Sequence, residues 1–523
     1  MYIHTFIVSN NPRSRPLTFY VLRFTHFLLR STPMTTAPST DIPAALLSAL
    51  NTAVGAANVI TDRSEKMVYD CDGLTLHKAM PGAVVFVHTT AEVAAVVKAC
   101  VASNYPYLAR GAGTGLSGGA MALNGAVVIE LARMNRILEI NAEDRYAVVE
   151  PGVINVNLTK ACSAHSLHYA PDPSSQGACT IGGNVAENSG GPHTLKLGVT
   201  VNHILGIEIV LPDGEIVHLG GPPGGTPGFD LTGLFIGSEG TFGICTKVWT
   251  RLTPNPEAVK TLLAVFPTVE AASRAVSGII AAGIIPAALE LIDNVIIKAI
   301  EQWLHLGFPL DAGAVLLIEL DGLRDGLEPL AERVCEVCRQ NGCISVRAAK
   351  DNAERLLLWK ARKQAFGAVG RICPSFYVQD GVIPRSKLPE TLAKIDGLSK
   401  KYNLVIANVF HAGDGNLHPI ILFDERDPAQ TVRALQCNSE IMMTVIAAGG
   451  MLSGEHGIGI EKLEFMPHVF TEDDMDAMRK VRAVFDPHNL SNPNKAVPSR
   501  RCWEVKGHEP PPQLAFGTRK GHG

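Results

Sequence analysis

With 523 residues, a net charge of −4 at pH 7 and a sequence pI near 6.5, the chain is long enough for two or three domains and has no basic excess for nucleic acid or anionic lipid. Its eleven cysteines are an odd number in a chain too long to need disulfides, and we interpret them as reduced thiols. This composition predicts an ordinary globular protein, without nucleic-acid binding and without direct membrane insertion.

The first forty residues differ in composition from the rest. They contain four arginines, many hydroxyl residues and no acidic residue before Asp41, which is typical of a mitochondrial transit peptide. An arginine and a histidine interrupt the only apolar run, so it is too short to span a membrane. We favour the alternative that this start is over-extended and that Met34 opens the protein. Whatever is present of residues 1–40 is expected to be a disordered extension, and the protein is expected to be cytoplasmic. If residues 1–33 are a genuine transit peptide, the protein is mitochondrial.

Between about Pro81 and Pro254, short β-type runs alternate with glycine-rich loops. One good helix, TTAEVAAVVKACVASN, begins at a threonine cap with Glu92 in its first turn and carries an apolar stripe. The motif LPDGE predicts a tight turn between two strands. A Pro/Gly-rich loop, PGGTPGFDLTG, follows it. The pattern predicts an α+β region with a boundary near residue 255.

The loop ARGAGTGLSGGAM formally matches the dinucleotide fingerprint GxGxxG from Gly113 to Gly118. That fingerprint needs a helix directly after it, so that a pyrophosphate lies at the helix N-terminus. Here the chain runs through Asn124 and Gly125 into another strand, so the Rossmann interpretation fails. Five glycines still leave the backbone N–H groups bare, and such a loop can wrap phosphate oxygens. A diphosphate ligand remains the best use for it.

Two further stretches are rich in small residues. Residues 171–193, PDPSSQGACTIGGNVAENSGGPH, form a 23-residue run without periodicity, too long for a neutral connection in a compact domain. Residues 237–244, GSEGTFGI, are a third glycine-rich stretch that ends in a strand. Each alone is weak evidence, since flexible linkers share this composition. Together they indicate a chain that brings bare backbone to one extended ligand.

Beyond residue 255 a second alternation of elements begins. The apolar patterns predict helices over 269–282, 326–340, 351–368 and 472–485, a strand over 314–320, a hairpin over 404–422 and a helix ending near 448. Cys335, Cys338 and Cys343 invite a metal-binding interpretation, but the first two lie in a helical pattern and no fourth ligand follows. A small apolar role is favoured. The polar residues 501–523 are expected to be disordered.

The sequence NVFHAGDGNLHPII, residues 408–421, places two histidines seven residues apart around Asp414-Gly415. Asp-Gly between β-forming runs is typical of a two-residue type I′ turn. This turn would set His411 directly opposite His418, with Cβ atoms roughly 4.5–5.5 Å apart, so that both rings could bind one metal ion. A half-buried pair without a metal is the alternative, because the hairpin supplies no third ligand.

The three glycine-rich stretches, the hairpin HAGDGNLHP, the segment SGEHGIG and the terminal FDP, NP and K together resemble the FAD-linked oxidase family with the vanillyl-alcohol-oxidase-like (PCMH-type) flavin fold. Within it the chain is most similar to FAD-binding subunits of glycolate oxidase and to D-lactate dehydrogenases. The resemblance implies an α+β fold with a two-subdomain FAD-binding domain over 41–255. It also implies an α+β cap domain with substrate and metal over 256–480, and a segment over 481–500 that returns to the flavin.

The resemblance also implies which residues hold FAD. The pyrophosphate would lie on the first loop, formed by Arg110, Gly111, Gly113, Thr114, Gly115, Leu116, Ser117, Gly118 and Gly119. The flavin and ribityl chain would lie against Pro171, Ser174, Gly182, Gly183, Asn184, Asn188 and Gly191. Glu239, Gly240 and Ile244 would face the adenine, and Asn492 would close the site. Relatives with covalent flavin carry a histidine in or near these loops; residues 110–119 contain none, so we expect noncovalent FAD.

Glu455, in SGEHGIG, supplies the third metal ligand that the hairpin lacks. Adjacent residues of an extended segment point in opposite directions, so Glu455 can bind a metal while His456 faces the substrate. His411, His418 and Glu455 then form a His₂Glu set with open positions, as in catalytic zinc sites. The resemblance assigns them the same role. We expect a divalent metal, with zinc preferred and manganese or iron as alternatives.

A 2-hydroxy acid would chelate this metal through its hydroxyl group and one carboxylate oxygen. The hydroxyl becomes more acidic, and His456, neutral near pH 7, takes its proton while hydride passes from the α-carbon to flavin N5. Arg362, in LWKARKQAF, suits the substrate carboxylate, although a solvated helix face is the usual place of such a residue. The resemblance implies that Asn416 is catalytic as well.

The strand FYVQDGVIP has no lysine or arginine, whereas relatives that act on longer diacids tend to carry one there. This favours a small monocarboxylate, glycolate or D-lactate. The chain has no ferredoxin-type cysteine run, so electrons must leave to a quinone or a partner. Two alternatives stay open. One is a D-lactate dehydrogenase with cytochrome c as acceptor. The other is a module inactive without FAD-type and iron–sulfur partner subunits, through which it could also reach the inner membrane.

Overall fold

The computed structural model describes residues 42–222 and 228–498. The predictions for the extension 1–40, the transit peptide 1–33, the tail 501–523 and residues 223–227 of the Pro/Gly-rich loop lie outside them. Within these ranges the chain is α+β, as expected, with three larger sheets and a two-stranded one. None of the helices in the described ranges combines the length and apolar character needed to cross a bilayer.

The first sheet has the strand order β1-β2-β4-β3, and β4 pairs in parallel with both of its neighbours. Its elements are α1 (Ala44–Val54), β1 (Val59–Ile60), α2 (Arg63–Lys66), β2 (Val84–Phe86), α3 (Thr90–Ala102), β3 (Tyr107–Arg110) and β4 (Val127–Glu130). The Thr89 side chain caps α3 by accepting the Glu92 N–H. The apolar faces of α1 and α3 share one core with the sheet.

The second sheet is antiparallel, in the order β5-β6-β10-β8-β9. The elements of this region are β5 (Ile137–Asn141), β6 (Tyr146–Val149), α4 (Asn155–Cys162), β7 (Leu167–His168), α5 (Ile181–Glu187), α6 (Thr194–Leu197), β8 (Ile204–Val210), β9 (Ile216–Gly220), α7 (Leu231–Phe235), β10 (Ile244–Arg251) and β11 (Thr253–Pro254). The predicted LPDGE turn joins β8 to β9, with Gly214 at a φ of 83°.

Helix α5 corrects the prediction that residues 171–193 lack periodic structure. The Thr180 hydroxyl caps it by accepting the Gly183 N–H at 3.3 Å. Ile181 and Val185 are buried in the core beneath the second sheet. Ile181 and Val185 are four residues apart, so both lie on one face of a short helix. The many glycines around them conceal this helical periodicity in the sequence.

The third sheet has the order β15-β12-β14-β13-β18-β19-β17, and β20 pairs with both β18 and β16. Its strands are β12 (Ala258–Phe266), β13 (Ala288–Asp293), β14 (Ala314–Gly322), β15 (Ser345–Ala348), β16 (Ser375–Val378), β17 (Gly381–Val382), β18 (Val405–His411), β19 (Asn416–Leu417) and β20 (Pro419–Phe423). The accompanying helices are α8 (Val269–Ala281), α9 (Asn294–Leu304), α10 (Arg324–Gln340), α11 (Asn352–Lys363), α12 (Ala365–Val369), α13 (Leu388–Tyr402), α14 (Pro428–Ala447), α15 (Met466–Val469) and α16 (Glu472–Phe485).

Helices cover both faces of this sheet. Along β12, Leu262 and Phe266 belong to the core under α8, α10, α13 and α14, whereas Leu263 and Val265 belong to the core under α9, α11 and α12. Strands buried on both faces read as continuous apolar runs, which explains the sequence AVLLIEL in β14. The predicted helix over 351–368 breaks at Gln364 into α11 and α12.

The end of the described chain returns to the first sheet. The Tyr107 N–H donates to the Leu490 carbonyl at 3.0 Å, and the Asn492 N–H donates to the Tyr107 carbonyl at 2.7 Å. Strand β3, which contains Tyr107, leads directly into the first glycine loop. The terminal segment therefore lies beside that loop, as the expected return to the flavin requires. The residue numbers assigned to the domain boundaries stay a prediction.

Candidate active site

The hairpin of β18, β19 and β20 brings the two predicted metal-binding histidines together, but in a different register. His411 pairs with Asn416, and four residues connect them. The prediction of a two-residue Asp414-Gly415 turn, with His411 opposite His418, is wrong. A type I′ turn needs positive φ at both central residues, and of the two only Gly415 has it, at 82°. The Asp414 carboxylate instead accepts the Asn416 N–H at 3.1 Å, as in an Asx turn.

Both imidazoles nevertheless face one buried site together with Glu455. The ring centroids of His411 and His418 are 5.1 Å apart. The Glu455 Oε1 atom lies 3.0 Å from His411 Nε2 and 3.3 Å from His418 Nε2. Atoms bound to one zinc ion at roughly 2.0–2.2 Å lie roughly 3.3–3.6 Å from each other in a tetrahedral site. The two measured distances are at or just below this range, and one ligand atom from each of the three residues lies within 4.8 Å of the others, which suits a single cation.

The charges around this point favour a positive ion. Burial disfavours the charged form of Glu455, but His411 and the other nearby histidines outweigh it and lower the pKa of Glu455 to about 2. Burial also opposes a charge on His411, yet the carboxylates of Glu290 and Glu455 outweigh it and hold the pKa of His411 well above its ordinary value. A proton or a metal ion between these groups would equally supply the positive charge that the two carboxylates favour.

The carboxylate of Glu290 completes the surroundings of His411. Strands β13 and β18 pair so that Glu290 stands directly opposite His411, and Glu290 Oε1 lies 2.8 Å from His411 Nδ1. With the Nδ1 proton directed at this carboxylate, Nε2 is left as the ligand atom, as in many metal-binding histidines. Glu290 was missed in the sequence, although an acid inside the apolar run AALELID is a signal, because a charge is rarely buried without a partner.

Arg362 reaches the same carboxylate from α11. Its Nε donates to Glu290 Oε2 at 2.6 Å, and both side chains are 0% exposed. Among the described residues, neither Nη1 nor Nη2 of Arg362 has a hydrogen-bond partner. The solvated helix face is therefore excluded for Arg362. A buried guanidinium with two unused terminal nitrogens suits a carboxylate ligand.

The loop that carries Glu455 and His456 bends around the Asp380 carboxylate. Asp380 accepts backbone N–H groups of this loop at 3.0 Å and pairs with the buried Lys462 at 3.1 Å. Because the loop is bent, the two side chains do not point in opposite directions as predicted. Instead, His456 stacks on His418 with ring centroids 5.0 Å apart. Nothing in the spacing of FYVQDGVIP singles out Asp380, so it was missed in the sequence.

His456 is an uncharged imidazole beside the three candidate ligands. Burial, aided by the neighbouring His418, lowers the pKa of His456 to about 4 against the opposing effect of Asp380. Its Nδ1 has no hydrogen-bond partner within the described ranges, and neither does the buried Oδ1 of Asn416. Together with Arg362, the three residues predicted to be catalytic thus all carry unsatisfied polar atoms. Buried groups are seldom left unpaired, so these atoms indicate a place for a ligand.

The first glycine loop leads through a 3₁₀ turn at Leu123–Gly125 into β4, without an intervening α-helix, as predicted. Gly113 has a φ of 64°, and a Cβ atom there would lie 2.2 Å from Arg110 Nη2. A Cβ atom at Gly119 would lie 2.7 Å from Glu187 Oε1. The loop, here called the glycine cradle, is therefore bare backbone on which the Arg110 and Glu187 side chains pack closely, and backbone N–H groups without side chains suit phosphate oxygens.

The other glycine-rich stretches meet this loop. A Cβ atom at Gly111 would lie 2.3 Å from the Thr180 hydroxyl, so the first and second stretches are in contact. The Asn492 side chain donates to the Gly119 carbonyl at 3.0 Å and to the Glu239 carbonyl at 2.7 Å, which joins the third stretch. The side chain of Ile244, in contrast, packs in the core of the first sheet.

Glu239 connects the glycine-rich half to the loop of His456. Its carboxylate accepts the N–H groups of Ile458 and Gly459, each at 2.7 Å. A Cβ atom at Gly457 would lie 2.9 Å from the same carboxylate. The loop with the candidate base is thus held by Asp380 on one side and by Glu239 on the other. The side chain of Glu239 is engaged by this loop.

A cluster of charges joins the second glycine-rich stretch to α11. His193 Nδ1 lies 3.0 Å from Asp172 Oδ2, and its ring stacks on Trp359 with centroids 5.7 Å apart. Lys363 lies 3.6 Å from the same Asp172 oxygen, and His193 Nε2 lies 3.5 Å from Glu319. Burial opposes a charge on His193, but Asp172 and Glu319 outweigh it and raise the pKa of His193 to about 10.

Comparisons with known proteins identify the family of the chain. Residues 81–220 match the family FAD binding domain, and residues 255–496 match the family FAD linked oxidases, C-terminal domain. Over 476 residues, 90% of this chain and 95% of the relative, the sequence is 46% identical to the glycolate oxidase subunit GlcD of Escherichia coli (strain K12). The chain belongs to the FAD-linked oxidase family. It is an FAD-dependent oxidoreductase.

Two further proteins are similar to this FAD-linked oxidase, one in sequence and one in fold. It is 33% identical over 427 residues to a D-lactate dehydrogenase of Anaerostipes hadrus, with 80% of this chain and 90% of the relative covered. Its fold matches 4-ethylphenol oxidase from Gulosibacter chungangensis with a TM-score of 0.72 at 22% identity, over 89% of this chain and 100% of that one. At this identity the match concerns the fold alone, and it confirms the predicted PCMH-type α+β architecture.

The residues of this FAD-linked oxidase fit the cofactor of its family. The Ser117 hydroxyl of the glycine cradle is buried without a partner among the described residues, so it offers a polar atom to a ligand such as a diphosphate. Lys495, which was missed in the sequence, donates to the Gly119 carbonyl at 2.8 Å and to the Met121 carbonyl at 2.5 Å. These contacts fix the shape of the loop. Burial outweighs the nearby carboxylates of Asp72, Glu239 and Glu187 and lowers the pKa of Lys495 to about 7, so its role here is to bind the loop carbonyls.

Proposed function

We propose that this FAD-linked oxidase converts a small (R)-2-hydroxy acid, glycolate or D-lactate, to the 2-oxo acid with the help of a divalent cation. The observation that supports this most is the meeting of His411, His418 and Glu455 within reach of one ion. Relatives named glycolate oxidase subunit and D-lactate dehydrogenase suggest the same substrate class.

In this proposal the substrate carboxylate binds to Arg362. Nη1 and Nη2 are the two guanidinium nitrogens that Glu290 does not use, and they suit the two oxygens of a carboxylate. The substrate hydroxyl lies between the candidate ligands and His456, whose imidazole accepts the hydroxyl proton. Asn416 contacts the substrate from the hairpin. The α C–H bond breaks with both of its electrons leaving the carbon, and the C–O bond becomes a carbonyl.

The proposed cation and FAD would supply the Lewis acid and the hydride acceptor that these residues do not provide. A cation held by His411, His418 and Glu455 would lower the pKa of the substrate hydroxyl. FAD, when bound at the glycine loops, supplies the acceptor for the hydride. A His₂Glu donor set suits zinc, and manganese or iron are alternatives. We expect the FAD to be noncovalent, because residues 110–119 contain no histidine.

The charges near the site favour a monocarboxylate. The segment FYVQDGVIP after α12, which contains β17 and most of β16, contributes Asp380 between the two strands and no cation. Lys363 and His193, the next cations along α11 and the second glycine-rich stretch, are already paired with Asp172. A second substrate carboxylate would therefore meet no free partner among them. This supports glycolate or D-lactate over a longer diacid.

The electrons must leave to an acceptor outside the chain. No ferredoxin-type cysteine run is present, and the Escherichia coli relative is named as a subunit. We propose that electrons pass to a quinone or to FAD-type and iron–sulfur partner subunits. The Anaerostipes hadrus relative supports a second candidate, a D-lactate dehydrogenase, for which cytochrome c would be the acceptor.

Anaerobic bleaching of the flavin by candidate substrates tests the proposal. Glycolate and D-lactate should bleach the purified protein, whereas L-lactate and D-2-hydroxyglutarate should not. Bleaching by none of the four would overturn it. Dye reduction with glycolate, but quinone reduction only after addition of partner subunits, would favour the complex over the free enzyme. Faster bleaching by D-lactate and direct reduction of cytochrome c would favour the D-lactate dehydrogenase.

A further inference from the structure

Glu290 has both of its carboxylate oxygens committed to groups of the proposed site. Oε1 lies 2.8 Å from His411 Nδ1, and Oε2 accepts from Arg362 Nε at 2.6 Å. Glu290 is 0% exposed and lies between Leu289 and Leu291 in the apolar strand β13. A buried carboxylate in such surroundings is costly unless both oxygens are satisfied. Here one carboxylate bridges a candidate metal ligand and a candidate substrate ligand.

The contact with His411 decides which ring nitrogen is free. A neutral imidazole has one N–H and one lone pair, and the hydrogen bond made by one nitrogen fixes the role of the other. A carboxylate at Nδ1 can only accept, so it keeps the proton there. The lone pair of Nε2 then faces Glu455 and His418, where the cation would lie. Losing such a contact commonly weakens metal binding about 10–100-fold.

The contact with Arg362 decides which edge of the guanidinium is free. Because Nε is engaged by Glu290, the terminal pair Nη1 and Nη2 is left, and neither atom has a partner in the described part of the chain. The guanidinium is planar, so fixing Nε also fixes the plane in which the two terminal nitrogens lie. A carboxylate ligand would then meet a preoriented pair of donors.

The charges of the buried groups add to this picture. Glu290 and Arg362 neutralise each other, and Asp380 and Lys462 do the same. Glu455 would offset part of the charge of a divalent cation. Removal of the Glu290 charge would leave the buried guanidinium of Arg362 uncompensated.

We propose that Glu290 is a positioning residue that aligns the metal ligand His411 and the substrate ligand Arg362 together, and so couples binding of the cation to binding of the substrate carboxylate. This inference rests on the proposed function. Because allosteric linkage is reciprocal, the cation should strengthen binding of the substrate carboxylate, and the carboxylate should strengthen binding of the cation by the same factor.

The decisive variant is Glu290→Gln. An amide can accept from only one of the two partners, since its NH₂ group must face the other. If the NH₂ group faces His411, it donates to Nδ1 and moves the ring proton to Nε2, which removes the ligand lone pair. If it faces Arg362, two donors oppose each other. Either outcome breaks the alignment without changing the size of the side chain.

The full-length protein with bound FAD is titrated with Zn²⁺ against a chromophoric chelator, with and without glycolate. We expect Glu290→Gln to retain FAD, to weaken Zn²⁺ binding about 10–100-fold and to reduce the mutual strengthening of Zn²⁺ and glycolate to the part that direct contact between them supplies. The matched control is Asp293→Asn, a buried acid on the same strand that accepts from Ile296 and Asn408. Its Zn²⁺ affinity should stay within about threefold of the wild type. Unchanged Zn²⁺ affinity in Glu290→Gln would overturn the inference.

A second variant covers the case in which Glu290→Gln does not retain FAD. In Glu290→Asp the charge stays, but the shorter side chain can reach only one partner. Either Zn²⁺ affinity or the KM for glycolate should therefore change, and no change in either would overturn the inference. The Zn²⁺ affinity could depend on Glu290 although no 2-hydroxy acid reduces the flavin of the wild-type protein. That result would refute the proposed function alone. In that case the metal-positioning half of the inference would stand.

Discussion

The Nε2 atom of His411 lies 3.0 Å from the Oε1 atom of Glu455, although 44 residues separate them in the chain. His411 ends strand β18, whereas Glu455 belongs to a bent loop that is held by Asp380 and Glu239. Two independently supported segments thus bring acceptor atoms to one point. That arrangement is unfavourable without a proton or cation between them, and it motivates the first prediction.

Substitutions of the candidate metal ligand His411 and of the candidate base His456 should affect metal binding and flavin reduction differently. His411→Ala should lose bound metal, because one of three ligands is removed. His456→Ala should keep both metal and yellow flavin but be reduced about 10²–10⁴-fold more slowly by glycolate, because the proton acceptor is missing. Elemental analysis, the flavin absorbance and anaerobic stopped-flow reduction measure the three properties. Normal turnover in both variants would contradict the mechanism.

Arg362→Lys should weaken substrate binding. Lysine keeps the charge but cannot offer two parallel donors while also reaching Glu290. Loss of a charge-assisted hydrogen bond costs about 1.5–3 kcal/mol, so we expect KM for glycolate to rise about tenfold or more. Steady-state kinetics with a dye acceptor measure it. Arg355→Lys, on the same helix but paired with Glu319, is the control and should change KM less than about threefold. Equal effects of the two would refute the role of Arg362.

The glycine cradle predicts a selective loss of cofactor. Gly113→Ala introduces a Cβ atom 2.2 Å from the Arg110 guanidinium at a positive φ of 64°, a conformation that costs a non-glycine residue about 1–3 kcal/mol. We expect the variant to purify with less FAD and to bind added FAD about tenfold more weakly, as measured by flavin fluorescence. Gly177→Ala, where no atom lies within 4 Å, should retain FAD. Full FAD occupancy in Gly113→Ala would exclude this loop as part of the site.

The contact between His193 and Asp172 should make stability depend on pH. The folded pKa of His193 is about 10, above roughly 6.5 for an unfolded histidine. A raised folded pKa means that this stabilisation is complete below pH 6.5 and is lost as the pH rises towards 10. Asp172 and Glu319 are the charged groups in contact with the ring, and Lys363 pairs with the same Asp172 carboxylate.

Denaturant unfolding at pH 6 and at pH 10 tests this point. At pH 6, His193→Gln should unfold at a lower denaturant concentration than the wild type, and the difference should shrink at pH 10. The exposed His165 on the same half of the chain supplies the control, because His165→Gln should show no such pH-dependent difference. A His193 difference that is equal at both pH values would mean that the imidazole does not stabilise the fold through its charge.

The elements that the sequence predicted correctly are those with local signals. They are the turn at LPDGE between β8 and β9, the threonine cap before α3 and the three glycine-rich loops. Each depends on a few neighbouring residues. The register of the hairpin did not follow from Asp414-Gly415, because the Asp414 side chain closes a different turn by bonding to Asn416. Dipeptide preferences cannot resolve that competition.

Glu290 and Asp380 could not be found in this way. Glu290 meets His411 only because β13 pairs with β18, and 121 residues separate the two. Asp380 acts on the backbone of a loop that lies more than 70 residues further along the chain. Both serve other polar groups rather than a ligand, so no motif spacing identifies their partners, although the acid inside the apolar run AALELID marks Glu290 as a buried charge that needs one. The residues proposed to contact ligands follow local motifs, whereas those that support them follow the topology of the sheet.

The two anchors of the loop from Ser453 to Gly459 have a consequence for motion. Asp380 holds it from the side of the third sheet, and Glu239 holds it from the third glycine-rich stretch. Any movement of these two parts away from each other would break the hydrogen bonds to one of the two carboxylates. The positions of Glu455 and His456 are therefore tied to both parts of the fold at once.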